Sequence, residues 1–394
     1  MRSWKLYVFV AGAVGIAADL PALLTGALAV EMTEDLAFGT AGLGGAIAMT
    51  RGVAMVASLP VGMLTDRIGA VSALRLSAVL ALISALTIAL FAQGWPLLAA
   101  SLALAGLSIA IGQPAANRLL YRMVPARRQG VAFGLKQAAP PAAALLAGTS
   151  VSVLALTLGW RSAFLCAAVL AGVMLLGIGK RPAKVQQAPP ATNPMQPGDA
   201  ARRLRLPSRQ SMWLAMGFAL GTAAAVVIPA FYTATAVSAG TSLSDAGMVL
   251  ALASAVTVAA RVSLGLLADR LERGHVLLCS GMLALGTCGL FLLGTGDPVL
   301  LAGGAVIGMA ALWGFNGVFW YFVVGLAGHR PGTITGQMST AGHVGGSFGP
   351  LGFGLLVSEV GFDLSWLLWT VFGLAGALSF WVASRARSRQ AGQP

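Results

Sequence analysis

Long apolar runs, most of about 20 residues or more, follow one another along this chain, separated mainly by short polar breaks. A helix needs about 20 such residues to cross a bilayer. The runs predict spans over residues 6–30, 39–63, 72–92, 96–121, 131–156, 162–179, 211–238, 244–267, 275–295, 298–326, 333–357 and 364–383. Polar residues do not alternate with apolar ones inside them, which argues against strands. One break differs in kind. Residues 180–210 carry Lys180, Arg181, Pro182, Lys184, the pair Pro189-Pro190, Arg202, Arg203 and Arg205, with no apolar pattern that could build a core.

The chain repeats itself across that break. Gly62-Met63-Leu64-Thr65-Asp66-Arg67 returns as Gly265-Leu266-Leu267-Ala268-Asp269-Arg270, an offset of 203, and Gly94-Trp95-Pro96 returns as Gly296-Asp297-Pro298, an offset of 202. Gly130 and Gly134 return as Gly332 and Gly336, again at 202. The expected fold is an all-α membrane protein of twelve transmembrane helices in two pseudo-symmetric six-helix bundles. Residues 1–179 would form the first bundle, 180–210 the linker and 211–394 the second. Six spans return the chain to its starting side, so the repeats are parallel, a plan that places a transporter's site where the repeats meet.

Composition agrees. The chain is 57% hydrophobic and 9% charged, whereas a soluble domain carries about 25% charged residues. The net charge of +13 would suggest nucleic acid in a soluble protein, but here its position explains it. All but four of the 25 Lys and Arg lie on the side of the even-to-odd breaks and the two ends; the exceptions are Arg51, Lys136, Arg161 and Arg261. The odd-to-even breaks hold Glu31, Glu34, Asp35, Asp245, Asp297, Glu359 and Asp363. Basic loops stay cytoplasmic, so both termini are expected inside a multi-pass protein of the cytoplasmic (inner) membrane, with no nucleic-acid partner. Met1 to Lys5 runs directly into the first apolar run, without a short h-region and cleavage site, so that run reads as an uncleaved span. Cys166, Cys279 and Cys288 fall within apolar stretches and read as free packing thiols.

Two short turns carry the chemistry of topology. Gly62-x-Leu64-x-Asp66-Arg67-x-Gly69 links spans 2 and 3, and its second copy links spans 8 and 9. Glycine allows helices to approach closely, and the aspartate can accept from free N–H groups at a helix start. This pattern resembles the signature between spans 2 and 3 of the major facilitator superfamily. The resemblance covers the whole chain and implies a secondary transporter. It also implies a conformational latch at Gly62, Asp66 and Arg67, with Gly265, Asp269 and Arg270 as its second copy. Ala70-Val71 stand where the signature usually carries a basic residue. Span 4 is similar to a second family pattern at Gly106, Ala110 and Pro114, with Leu102 where that pattern has the arginine associated with proton coupling. Gly134-Leu135-Lys136-Gln137-Ala138-Ala139-Pro140-Pro141 looks like a stretch found in facilitators of unassigned substrate, and Gly345-x-x-x-Gly349-Pro350 is similar to an antiporter motif.

Ionisable groups in hydrocarbon cost at least about 2.5–3.5 kcal/mol at a helix centre and usually face the bundle interior. Spans 3, 6, 9 and 12 are read as free of them, and the resemblance places those spans on the outside. At 1.5 Å per residue, Asp19 lies roughly 21 Å beyond Lys5, Arg51 roughly 18 Å beyond Gly39 and His343 roughly 16 Å beyond Gly332. Asp19 is a candidate proton carrier, or else a fixed partner of Arg51. Arg51 is a candidate contact for a substrate anion. Lys136, about 9 Å in, either joins the pathway or snorkels back to the loop. Gln137, His343 and, about 12 Å in, Arg261 are further candidates, Arg261 with the alternative of bracing the second latch. The resemblance adds Gln113, Asn117, Asn316, Trp313, Trp320 and Tyr232, on the spans that line the family's cavity.

Three function classes compete. A membrane enzyme needs a catalytic set, and the sequence offers no metal-ligand cluster, no Ser–His–Asp arrangement and no phosphate loop; no cofactor is expected. A receptor should add a soluble effector domain, and no break exceeds about 31 residues. The expectation is a monomeric transporter in membrane lipid, moving a small solute with a proton. More buried bases than acids favour an organic anion; export of drugs or metabolites is the alternative.

Overall fold

A computed structural model describes residues 4–125, 128–178, 209–271, 274–327 and 331–390. Among the described residues every regular element is helical. Eleven helices are long and apolar enough to cross a membrane. The last of them, Pro331–Gln390, is broken at Gly361, whose φ of 78° leaves the helical region. Glycine adopts that left-handed conformation without steric penalty, so the element is two consecutive crossings and the chain has twelve. Spans 1 to 4 are Trp4–Ala27, Thr40–Ile68, Ala70–Phe91 and Trp95–Met123, with a short helix Ala29–Asp35 after the first. Span 5 is assembled from Gln129–Gln137, Ala139–Ser150, a π turn Val151–Ala155 and Leu156–Leu158. Span 6 is Trp160–Gly177, and spans 7 to 10 are Arg209–Ser238, Leu243–Arg270, His275–Leu293 and Pro298–Ala327. Spans 11 and 12 are the two limbs of Pro331–Gln390.

The linker expected at 180–210 lies outside the described residues, except Arg209 and Gln210, which open span 7. One expectation needs correction. Spans 3, 6, 9 and 12 are not free of ionisable groups: Arg75 lies in span 3, Arg161 is the second residue of span 6, His275 opens span 9, and the span 12 limb holds Asp363 and Arg385 near its two ends. Each sits near a helix end, where a backbone carbonyl or water is within reach. Arg75, for instance, donates to the Ile178 carbonyl at the end of span 6 (2.8 Å).

The halves meet along three pairs of spans, 1 with 7, 2 with 11 and 5 with 8. On the side of the odd-to-even loops they meet backbone to backbone. A Cβ on Gly44 of span 2 would lie 2.1 Å from the Pro350 carbonyl oxygen of span 11. A Cβ on Gly26 of span 1 would lie 2.5 Å from the Pro229 carbonyl oxygen of span 7, and one on Gly148 of span 5 would lie 2.6 Å from the Ala251 amide of span 8. The Ser152 hydroxyl adds a hydrogen bond to the Ser244 carbonyl across the 5–8 seam (2.9 Å). Buried apolar residues follow the same division. Leu24, Leu28, Phe231 and Phe353 belong to one core that joins both halves. On the side of the termini, Val8, Val14, Leu74 and Leu119 form a separate core within the first half. The molecule is therefore sealed at one face, and the site lies below the seal.

Candidate functional site

Asp19 sits in mid-span 1, two residues before Pro21, and only 2% of its side chain is exposed. A carboxylate this deep needs a cation. Arg51, from the middle of span 2, supplies it with a 2.8 Å bond from Nη2 to Oδ1. The pair lines a cavity of about 40 Å³ between the halves, with Thr50, Val226, Pro229 and Trp313 among the other walls. The Arg51 stem reaches span 11 at Gly346, where a Cβ would come within 3.1 Å of Cγ. His343, half-buried, lies three residues before Gly346 and so on the same face of span 11.

Lys136 is buried, not snorkelled to the loop as its short depth allowed, and it donates to the Gln113 carboxamide of span 4. The reason is direct: a side-chain acceptor on the neighbouring span is nearer than water. Asn117, one turn beyond Gln113 on span 4, is exposed, and Asn316 on span 10 is half-buried; neither lines the cavity. Gln137 contributes through its backbone. In a helix its carbonyl would accept from residue 141, which is proline and has no N–H. Arg261, from span 8 in the other half, donates to that carbonyl and, at 3.1 Å, to the Trp313 carbonyl. The tandem prolines thus create the acceptor, and a guanidinium spanning the two halves takes it. The Asp19 charge acts on both Lys136 and Arg261. Arg261→Lys keeps the charge but loses the planar fork that serves two carbonyls at once. It is expected to slow transport about tenfold, since one hydrogen bond to a charged group is worth about 1.5–3 kcal/mol. Initial rates in proteoliposomes, normalised to folded protein, check this.

The latch expected at the span 2–3 turn is only partly described. Span 2 ends at Ile68, and Gly69, at φ 81°, turns the chain into span 3. Arg67 is exposed, and the Thr65 carbonyl accepts a 3.3 Å bond from Arg118 of span 4, tying the turn to that span. The surroundings of Gly62 and of the Asp66, Asp269 and Arg270 side chains lie outside the described residues, while Gly265 is exposed. At the opposite face Arg161 donates to Asp35 (2.7 Å) and to the Ala92 carbonyl (2.8 Å), joining three loops of the first half. That hydrogen bond holds the Asp35 carboxyl below the usual aspartate range.

A family profile described as Major Facilitator Superfamily matches residues 7–350. The chain belongs to the major facilitator superfamily. A solved structure titled as a D-xylose-proton symporter superposes on this facilitator with a TM-score of 0.70 at 16% identity, covering 96% of this chain and 98% of that one. At that identity the likeness shows the fold alone. No curated protein matches this facilitator. Two features of its centre carried no distinct signal in the sequence: the Thr50 hydroxyl at the cavity and the contact that Arg261 makes across the halves. Thr50 is one threonine among several within apolar spans, and the cross-half role of Arg261 depends on a proline 120 positions away.

Proposed function

We propose that this facilitator is a secondary active transporter that moves a small organic anion together with a proton by alternating access. The Asp19–Arg51 pair carries the reading. It lies between the halves with Asp19 buried, it lines the cavity, and among the described residues Asp19 is the only carboxylate at membrane depth. Around it stand Lys136 and Arg261, neither bonded to a carboxylate among the described contacts, so the centre favours an anion. An entering carboxylate competes for Arg51. Asp19, released from its cation in a place where charge is costly, then takes a proton. Solute and proton are held together and leave together. A proton-coupled protein of the same fold, the D-xylose-proton symporter, supports the proton as coupling ion. A thermal-shift screen of purified protein against metabolites and drugs tests the class of solute. The alternative, a proton-driven drug or metabolite exporter, is separated by the direction of the pH gradient that drives accumulation in proteoliposomes.

The charge bias of the loops supports both termini in the cytoplasm. On that placement the sealed face is the external one, and the structure is closed to the outside. A single cysteine placed at Arg203 or Arg387 is expected to react with an impermeant maleimide only after cells are permeabilised. Labelling in intact cells would contradict the orientation.

The duplicated turn supports a latch on the cytoplasmic face. Asp66→Asn is expected to reduce transport more than folding, because the turn biases the balance between access states. Near-parental rates from a well-folded Asp66→Asn protein would remove the latch role.

A further inference from the structure

The cavity lining carries a small polar set, Arg51, Asp19 and Thr50. Thr50 is 1% exposed and its hydroxyl has no hydrogen-bond partner. Thr25, Thr65 and Thr257 each donate to the carbonyl four residues back, at 2.7–2.9 Å; of the unpaired Thr50, Thr222 and Thr233, Thr50 is the one that lines the cavity. A buried hydroxyl left unpaired costs about 1–3 kcal/mol, a cost removed when a ligand brings the acceptor. Thr50 is also adjacent in sequence to the one cation at the cavity. The rest of the lining, with Leu23, Ile47, Val226 and Pro229, is an apolar wall that offers no side-chain donor. Trp313 adds only ring carbon, because its indole N–H already donates to the Ala225 carbonyl (2.8 Å).

From this we infer that the solute is a small aliphatic monocarboxylate, bound with its carboxylate on Arg51 and Thr50 and its body against the apolar wall. The inference rests on the anion reading above and narrows it. A sugar requires several hydrogen-bond partners around its ring, and among the described residues no Asn or Gln side chain lines the cavity. A dicarboxylate would bury its second charge against the apolar wall, since Lys136 and Arg261 are engaged elsewhere and do not line it.

The test is thermal unfolding of the purified full-length protein in detergent with isobutyrate, succinate, isobutyramide or D-xylose. Isobutyrate is expected to raise the melting temperature and the other three are not. Thr50→Val is expected to weaken the apparent affinity for isobutyrate about tenfold, the size of one hydrogen bond to a charged group. Thr50→Ser keeps the hydroxyl and is expected to keep the affinity. Stabilisation by succinate in place of isobutyrate overturns the monocarboxylate and leaves the anion reading standing. Stabilisation by D-xylose or isobutyramide in place of isobutyrate overturns both. Parental affinity in Thr50→Val, or no shift with any of the four compounds, overturns the inference.

Discussion

Gly44→Ala is expected to hold the transporter open at the face that is sealed here. The added methyl would sit 2.1 Å from the Pro350 carbonyl oxygen, a backbone atom that cannot turn aside. The spans must part by about 1 Å or more to reach ordinary van der Waals contact. Overpacking of this kind costs about 1–3 kcal/mol. The cost falls on the sealed state alone, because spans 2 and 11 separate when that face opens. A bias of that size shifts the balance between states by roughly 5–150-fold. The readout is alkylation of a cysteine at Val226, in the cavity wall, by an impermeant reagent applied from the sealed face. It should react slowly in the Gly44 parent and much faster with Gly44→Ala, while transport falls. Equal labelling in the two proteins would mean that the seal does not depend on this backbone contact.

Asp19→Asn is expected to separate accumulation from exchange. Asparagine keeps an acceptor for Arg51 at nearly the same volume, so loss of the charge-assisted bond should cost roughly 1.5–3 kcal/mol and leave a folded protein. It cannot carry a proton. Accumulation driven by a pH gradient should fall to the level of passive leak, while solute on one side still exchanges for solute on the other. Retained accumulation would remove Asp19 as the proton carrier. Loss of folded protein would identify the pair as a permanent fastening of span 1 to span 2.

Much of the fold was legible because the bilayer imposes it. Each run long enough to cross became a span, and the offset of about 202 marked the two halves. The break within span 5 was harder to place, because Gln137 to Pro141 keeps the apolar character of a span while losing two backbone donors to proline. Counting residues from the loops placed Asp19 and Arg51 at one depth, and they are in contact. The same counting left Lys136 open between the pathway and the loop. Depth along one helix says nothing of an acceptor on the next, and Gln113 keeps that ammonium inside. Thr50 was overlooked for a related reason: a threonine in an apolar span normally satisfies itself on its own helix, and only the structure distinguishes Thr50, Thr222 and Thr233, which do not, and places Thr50 at the cavity.

An anion arriving on Arg51 should bring a proton onto Asp19, and proton uptake on ligand binding is the direct measure of that step. Isobutyrate is added to concentrated, weakly buffered protein in detergent near neutral pH, and the pH of the medium is followed. Alkalinisation is expected to saturate with binding and to disappear in Asp19→Asn. Saturable binding of isobutyrate with no proton taken up would contradict it.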